Sequence, residues 1–135
     1  MPDLETANLD LIHRYLAAVQ AGATGATLAA FYHSDAIQEE LPNRLVAQGT
    51  RRDLAGLLAS AERGQQVISE QRYQIVRELA QGGRVALEVT WSGTLRIALG
   101  TLAAGHVMRA HLAMFFDIEA GRIRGQRNYD CFEPW

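Results

Sequence analysis

In 135 residues, 13 basic side chains stand against 15 acidic ones for a formal charge of -2, and 48% of the chain is hydrophobic. Those proportions exclude a disordered or fibrous chain and suit one domain, residues 1–135, folded around one core. Every basic residue is an arginine, which rules out a Schiff-base or phosphate-loop lysine, and their scatter argues against a nucleic-acid partner.

Met1 to Asp10 is acidic and has no apolar run, so no secretory leader is expected. The most apolar stretch, Leu95 to Met108, is interrupted by Arg96, Gly100, Thr101, Gly105 and His106, and falls well short of the ~20 residues that cross a membrane. The single cysteine, Cys131, cannot form an internal disulfide, and the cytoplasm is the expected compartment.

Along the chain, Leu9, Ile12, Tyr15, Leu16 and Val19 recur at intervals of three and four, which predicts a first helix from Thr6 to Gln20, stopped by Gly22. A short second helix is expected over Gly25 to Tyr32 with Leu28 and Phe31 inward. A third is expected to open at Thr50, whose hydroxyl and Asp53 fit a capping box, to turn Leu54, Leu57, Leu58 and Ala61 inward, and to end at Gly64. Between the second and third helices, Ala36 to Leu45 alternates weakly around Pro42, as a short edge strand or two would.

Beyond Gln65 the period changes to two. Val67 to Leu79, a turn at Gln81-Gly82-Gly83, and the alternation of Val85, Leu87, Val89 and Trp91 predict a hairpin. Val107 to Glu119 and Arg122 to Phe132, joined by Ala120-Gly121, follow as two further strands. Helices first and an antiparallel meander afterwards is an α+β order, with the helices covering one face of the sheet. The more apolar strand face, with Trp91, Leu112 and Met114, is expected to be covered. Glu88, Arg109 and His111 fall on the other face, a natural surface for a homodimer.

Several local strings resemble the SnoaL-like members of the nuclear-transport-factor-2-like superfamily. They are Phe31-Tyr32-His33-Ser34-Asp35-Ala36, Gly49-Thr50, Trp91-Ser92-Gly93-Thr94 and Gly121-Arg122-Ile123, in that order, and the closing Gln126 to Trp135 resembles an uncharacterised bacterial subgroup. The resemblance covers nearly the whole chain. It implies a cone: about three helices packed on a strongly curved, mostly antiparallel sheet of about six strands, around an apolar cavity with a few polar groups. Most members dimerise through the outer sheet face. The family includes cyclases, isomerases, epoxide hydrolases, dehydratases and proteins that only bind, so the chemistry has to be argued from the site.

In the polyketide cyclases an acid on the last strand acts as base, a few residues after the Gly-Arg-Ile string. The matching position here is Asn128, an amide that cannot take a proton. Asp130 lies two residues on, on the same strand face, and supplies a carboxylate if that face is concave. The bland alternative is that Asp130 pairs with an arginine or caps the chain end. Glu39 and Glu40 point to opposite faces; Glu40 is the inward choice because Gln38, on its face, resembles a pocket amide of the cyclases. Two carboxylates in one dry cavity push their pKa values apart; on an edge strand they are simply solvated.

Tyr15 lies on the apolar stripe of helix one, where ketosteroid isomerases place an oxyanion donor, and a structural tyrosine reaching toward the cavity is the alternative. Tyr32 is similar. Trp91, Leu112 and Met114 are expected as pocket wall. His13, His33, His106 and His111 have no metal-site spacing, so no metal and no cofactor are expected. Cys131 is expected to be small and buried.

The expected function is a cofactor-independent enzyme, of isomerase, cyclase, hydratase or hydrolase type, acting on a small apolar molecule. Asp130 or Glu40 is its base, and Tyr15 or Asn128 donates to developing negative charge. The alternatives are a non-catalytic protein holding a hydrophobic metabolite, and a dimerisation or partner-binding module.

Overall fold

The computed structural model describes residues 3–135. Three helices and six strands follow one another as α1 (Leu4–Gln20), α2 (Gly25–Ala29), β1 (Tyr32–Glu40), β2 (Thr50–Arg52), α3 (Leu54–Val67), β3 (Ile68–Gln81), β4 (Arg84–Leu95), β5 (Val107–Glu119) and β6 (Arg122–Phe132). The strands form one sheet in the order β2-β1-β6-β5-β4-β3, antiparallel throughout except for β1 beside β6.

The Asp3 carboxylate caps α1 by accepting from the Thr6 amide at 2.7 Å, and the helix begins at Leu4, two residues before the expected Thr6. Leu11, Ile12, Tyr15 and Leu16 of this helix are buried. Helix α1 lies over β3 and β4, whereas α3 touches β1 and β2 near one edge of the sheet and β3 at the other. A single helix can reach both edges only if the sheet curls around it, and that curl makes the cone.

The boundaries of α3 differ from expectation at both ends. Thr50 to Arg52 pair with Glu40 to Gln38 as a short strand, so the cap falls to Asp53 itself, which accepts from the Gly56 amide at 2.9 Å. Gly64 does not stop the helix, which runs three residues further, to Val67. Helix α2 ends at Ala29 rather than Tyr32, because Tyr32 is drawn into the ladder opposite Ile123. The segment expected as an edge strand is interior: β1 lies between β2 and β6.

Leu87, Val89, Trp91, Leu112 and Met114 face the helices and are buried, whereas Glu88, Arg109 and His111 are exposed on the convex side, as expected. Cys131 departs from expectation, being exposed on that convex face beside His111. It stands one residue out of phase with the buried positions of β6. A register shift between Ile75 and Arg77 of β3 turns Leu79 outward, where it is 74% exposed. Among the described residues no helix is long and apolar enough to cross a membrane.

Candidate active site

The ladder registers lay out the concave floor. Gln38 stands beside Gln126, and Glu40 beside Asn128, across the β1–β6 pairing. Asn128 then pairs with Met114, and Asp130 with Leu112, across β6–β5. One half of the floor, from β1, β2 and β6, is therefore polar, and the half from β5 and β4 is apolar. A cavity with this division holds a hydrocarbon against one wall while hydrogen-bonding groups meet it from the other.

Two adjoining lobes occupy the cone. The first, about 210 Å³, runs under α1 past Tyr15, Tyr32, Gln38 and Gln126. The second, about 550 Å³, is bounded by Glu40, Arg52, Trp91, Leu112 and Asp130. Ser60, Gly64, Ile68, Tyr73, Met114 and Asn128 line both. Gly64 keeps its place inside α3 with no atom within 4 Å of where a Cβ would stand, so it leaves room at the junction.

In the first lobe the buried side chains form a closed network. The Tyr32 hydroxyl donates to Gln126 Oε1 at 2.7 Å, and the Tyr15 and Tyr32 hydroxyl oxygens are 2.7 Å apart. Gln126 Nε2 in turn reaches Tyr15 Oη and Asn128 Oδ1, each at 3.3 Å. Gln126 is only 2% exposed, and its amide is the hub. With the Tyr32 proton on Gln126, the Tyr15 proton goes to Tyr32, to Gln126 Oε1 at 3.5 Å, or to a molecule in the cavity. Burial raises the pKa of both tyrosines, so at neutral pH they are donors and not phenolates.

In the second lobe Glu40 and Arg52 form an ion pair at 3.3 Å, with side chains only 19% and 17% exposed. Arg52 also donates to Gln38 Oε1 at 3.3 Å, and Asn43 Nδ2 donates to Glu40 Oε1 at the same distance. Asp130 has no such partner, and its Oδ1 is buried without a hydrogen bond among the described residues. Burial, helped by the Glu40 charge, lifts the Asp130 carboxyl from its ordinary 3.8 to about 6. Side by side, then, stand one neutralised carboxylate and one that changes protonation near neutrality.

Tyr73, from β3, joins the two lobes. Its hydroxyl makes no hydrogen bond among the described residues, and desolvation raises its pKa, with the charges of Asp130 and Glu40 adding to the rise. It therefore offers a neutral O–H beside Asp130. The Trp91 indole N–H is already occupied, donating to Gln71 Oε1 at 3.1 Å, so Trp91 presents the cavity with a ring face rather than a donor.

The nine residues expected at the site line the two lobes: Asp130, Glu40, Trp91 and Leu112 the second, Tyr15, Tyr32 and Gln38 the first, and Asn128 and Met114 both. Gln126, Arg52 and Tyr73 were missed. Gln126 was legible in the period of β6, two residues before Asn128 and four before Asp130. Arg52 was hidden by assigning Thr50 to a helix cap, and Tyr73 by a strand too polar to show which face is inward. Among the described residues no group of three or more histidine, cysteine or acidic side chains gathers to hold a metal ion.

Comparison with known proteins gives the fold a name. No protein of curated function matches the sequence. Solved structures do: an LEH-like epoxide hydrolase from M. tuberculosis is 19% identical with a TM-score of 0.73, over 97% of this chain and 86% of that one. A SnoaL-like polyketide cyclase from Agrobacterium tumefaciens is 16% identical with a TM-score of 0.71, over 91% and 90% of the two chains. An NTF2-like protein from Burkholderia xenovorans is 17% identical with a TM-score of 0.72, over 93% and 90%. At these identities the likeness speaks for the NTF2-like cone alone. The SnoaL-like domain family, however, matches residues 12–126 of the sequence itself. The chain belongs to the SnoaL-like domain family.

Proposed function

We propose that the chain is a cofactor-independent enzyme that moves a proton on a small apolar substrate held in the cone, with Asp130 as the base. The observation that carries this reading is the Asp130 carboxyl, which lines the cavity with its Oδ1 buried and without a hydrogen bond among the described residues, and whose pKa is raised to about 6. A base poised near working pH combines the right protonation state with driving force for transfer. In the proposed step the substrate lies against Leu112, Met114 and the Trp91 ring, and Asp130 takes a proton from a carbon next to a carbonyl. The charge that develops on the oxygen is met by a neutral donor, Tyr73 or Tyr15. The protonated Asp130 then returns the proton to the enolate at another carbon, so that the double bond moves and the base is regenerated. The Glu40 charge beside it adds to the basicity of Asp130.

The experiment is deuterium exchange into small cyclic ketones in heavy water, followed by proton NMR. Exchange at the carbon next to the carbonyl should be accelerated by the protein and lost in Asp130→Asn. Equal exchange in both proteins would remove Asp130 as base.

The second reading, a protein that holds a hydrophobic metabolite without turning it over, is favoured by the apolar lining from Val67, Leu99, Met108 and Phe132. Asp130 would then accept a ligand hydroxyl. A further part of the proposal is a homodimer through the convex face, where Leu79, Phe115 and Tyr129 are exposed and the Phe115 and Tyr129 rings pack edge to face at 5.7 Å. Sedimentation of Phe115→Glu should then show a monomer where the parent chain shows a dimer. A parent chain that already sediments as a monomer refutes it.

A further inference from the structure

The second lobe is roofed in part by the loop between β1 and β2, residues 41–49, through Leu45 and Val46. That loop is folded upon itself. Asn43 Oδ1 accepts from the Leu45 and Val46 amides at 2.9 and 3.0 Å, and the Val46 carbonyl accepts from the Asn43 and Gly49 amides at 3.0 and 2.9 Å. Its backbone is tied to the sheet at Leu41, whose amide donates to the Asn128 carbonyl at 3.0 Å and serves as the hinge; beyond it, a segment with these polar groups satisfied internally can lift without stranding them.

Beyond that hinge the loop is held by a contact between Arg44 and Trp135. The Arg44 guanidinium lies 4.2 Å from the centre of the Trp135 ring and also donates to the Trp135 carbonyl. Trp135 packs edge to face on Phe132 at 5.6 Å, and Phe132 on Trp91 at 6.2 Å. Phe132 and Trp91 both line the second lobe, so the stack runs from the cavity wall to the clasp. The loop also reaches the polar side of the site, through the bond from Asn43 to Glu40.

We propose that residues 41–49 are the cover of the cavity and that the Arg44–Trp135 clasp sets how often it opens, and so which molecules enter. Arg44 and Trp135 are thus access-determining residues, remote from the reacting atoms. Because Asn43 is bonded to Glu40, lifting the cover also loosens the carboxylate that sits beside Asp130. The inference rests on the cavity being the ligand site of the proposed function, and not on catalysis there.

The test is stopped-flow binding of anilinonaphthalene sulfonate, an apolar fluorescent probe, with the Met108 and Met114 methyl signals reporting entry into the cavity. If the cover must open for passage in either direction, Arg44→Ala should raise kon and koff together, each about tenfold, and leave Kd nearly unchanged. Arg44→Lys, which keeps the charge but loses the planar stack, should fall between. Hydrogen exchange of residues 41–49 should quicken in Arg44→Ala while that of β4 and β5 stays put, which separates release of the cover from general loosening. The probe undergoes no proton transfer, so the test reads passage into the cavity alone and stands whatever the fate of Asp130 as base. Unchanged rates, no entry of the probe in either protein, or a rise in koff alone would overturn the proposal.

Discussion

Glu40 and Asp130 share one face of the cavity floor, because Glu40 stands opposite Asn128 in the β1–β6 ladder and Asp130 lies two residues beyond it. Only Glu40 has a cation, Arg52 at 3.3 Å. Asp130 therefore bears its own desolvation cost together with the repulsion of its neighbour, and its affinity for a proton is the result.

That cost has a sign in stability. Between 3.8 and about 6 the folded protein holds a proton on Asp130 that the unfolded chain releases, so stability should fall as pH rises through this window, by at most roughly 3 kcal/mol. Denaturant unfolding of the parent chain and of Asp130→Asn, side by side at several pH values, measures it. The variant should lack this decline, and its relative stability should grow from about pH 4 to about pH 6. Parallel curves for the two proteins would mean that Asp130 is solvated.

Glu40→Gln removes the like charge and leaves Arg52 uncompensated in the same lobe. Both changes favour the Asp130 carboxylate, so its pKa should drop, and the acid limb of the exchange activity should move to lower pH. The pH profile of deuterium exchange checks this. A limb that stays in place would show that burial alone sets the Asp130 value.

Gln126→Leu fills the same space without the amide and leaves the buried Tyr15 and Tyr32 hydroxyls with only each other as partners. A loss of about 2–4 kcal/mol is expected from urea unfolding, because a network left half satisfied costs more than one bond. Tyr32→Phe, which removes only one donor, should cost about 1 kcal/mol. Similar losses in the two variants would mean that the amide is not the hub.

Gly93 shapes the apolar wall from beneath. A Cβ at this position would lie 2.5 Å from the Trp91 ring, closer than any real contact. Gly93→Ala should push the indole out of place at a cost of about 1–3 kcal/mol and shift Trp91 emission to the red. An unchanged emission spectrum would show that the ring has room to adapt.

How much of this was legible in the sequence follows the strength of the periodicity. Strands β4 and β5 alternate cleanly and sit over a buried face, so their inward residues Trp91, Leu112 and Met114 could be named directly. Two-residue spacing on β6 carried Asn128 and Asp130 to the right face as well. One failure came where a residue's role is set by a distant partner: Thr50 pairs with Glu40 instead of capping α3. Arg52, Gln126 and Tyr73 matter through neighbours remote in the chain, and no local pattern encodes such meetings. The Arg44–Trp135 stack, 91 residues apart, is of the same kind.

The most direct measurement is a carbon-13 NMR titration of the Asp130 side-chain carboxyl, assigned by its loss in Asp130→Asn. A midpoint near 6, well above that of an exposed aspartate, is the expected result. A midpoint near 3.8 would place the carboxylate in water and leave the cavity without its base.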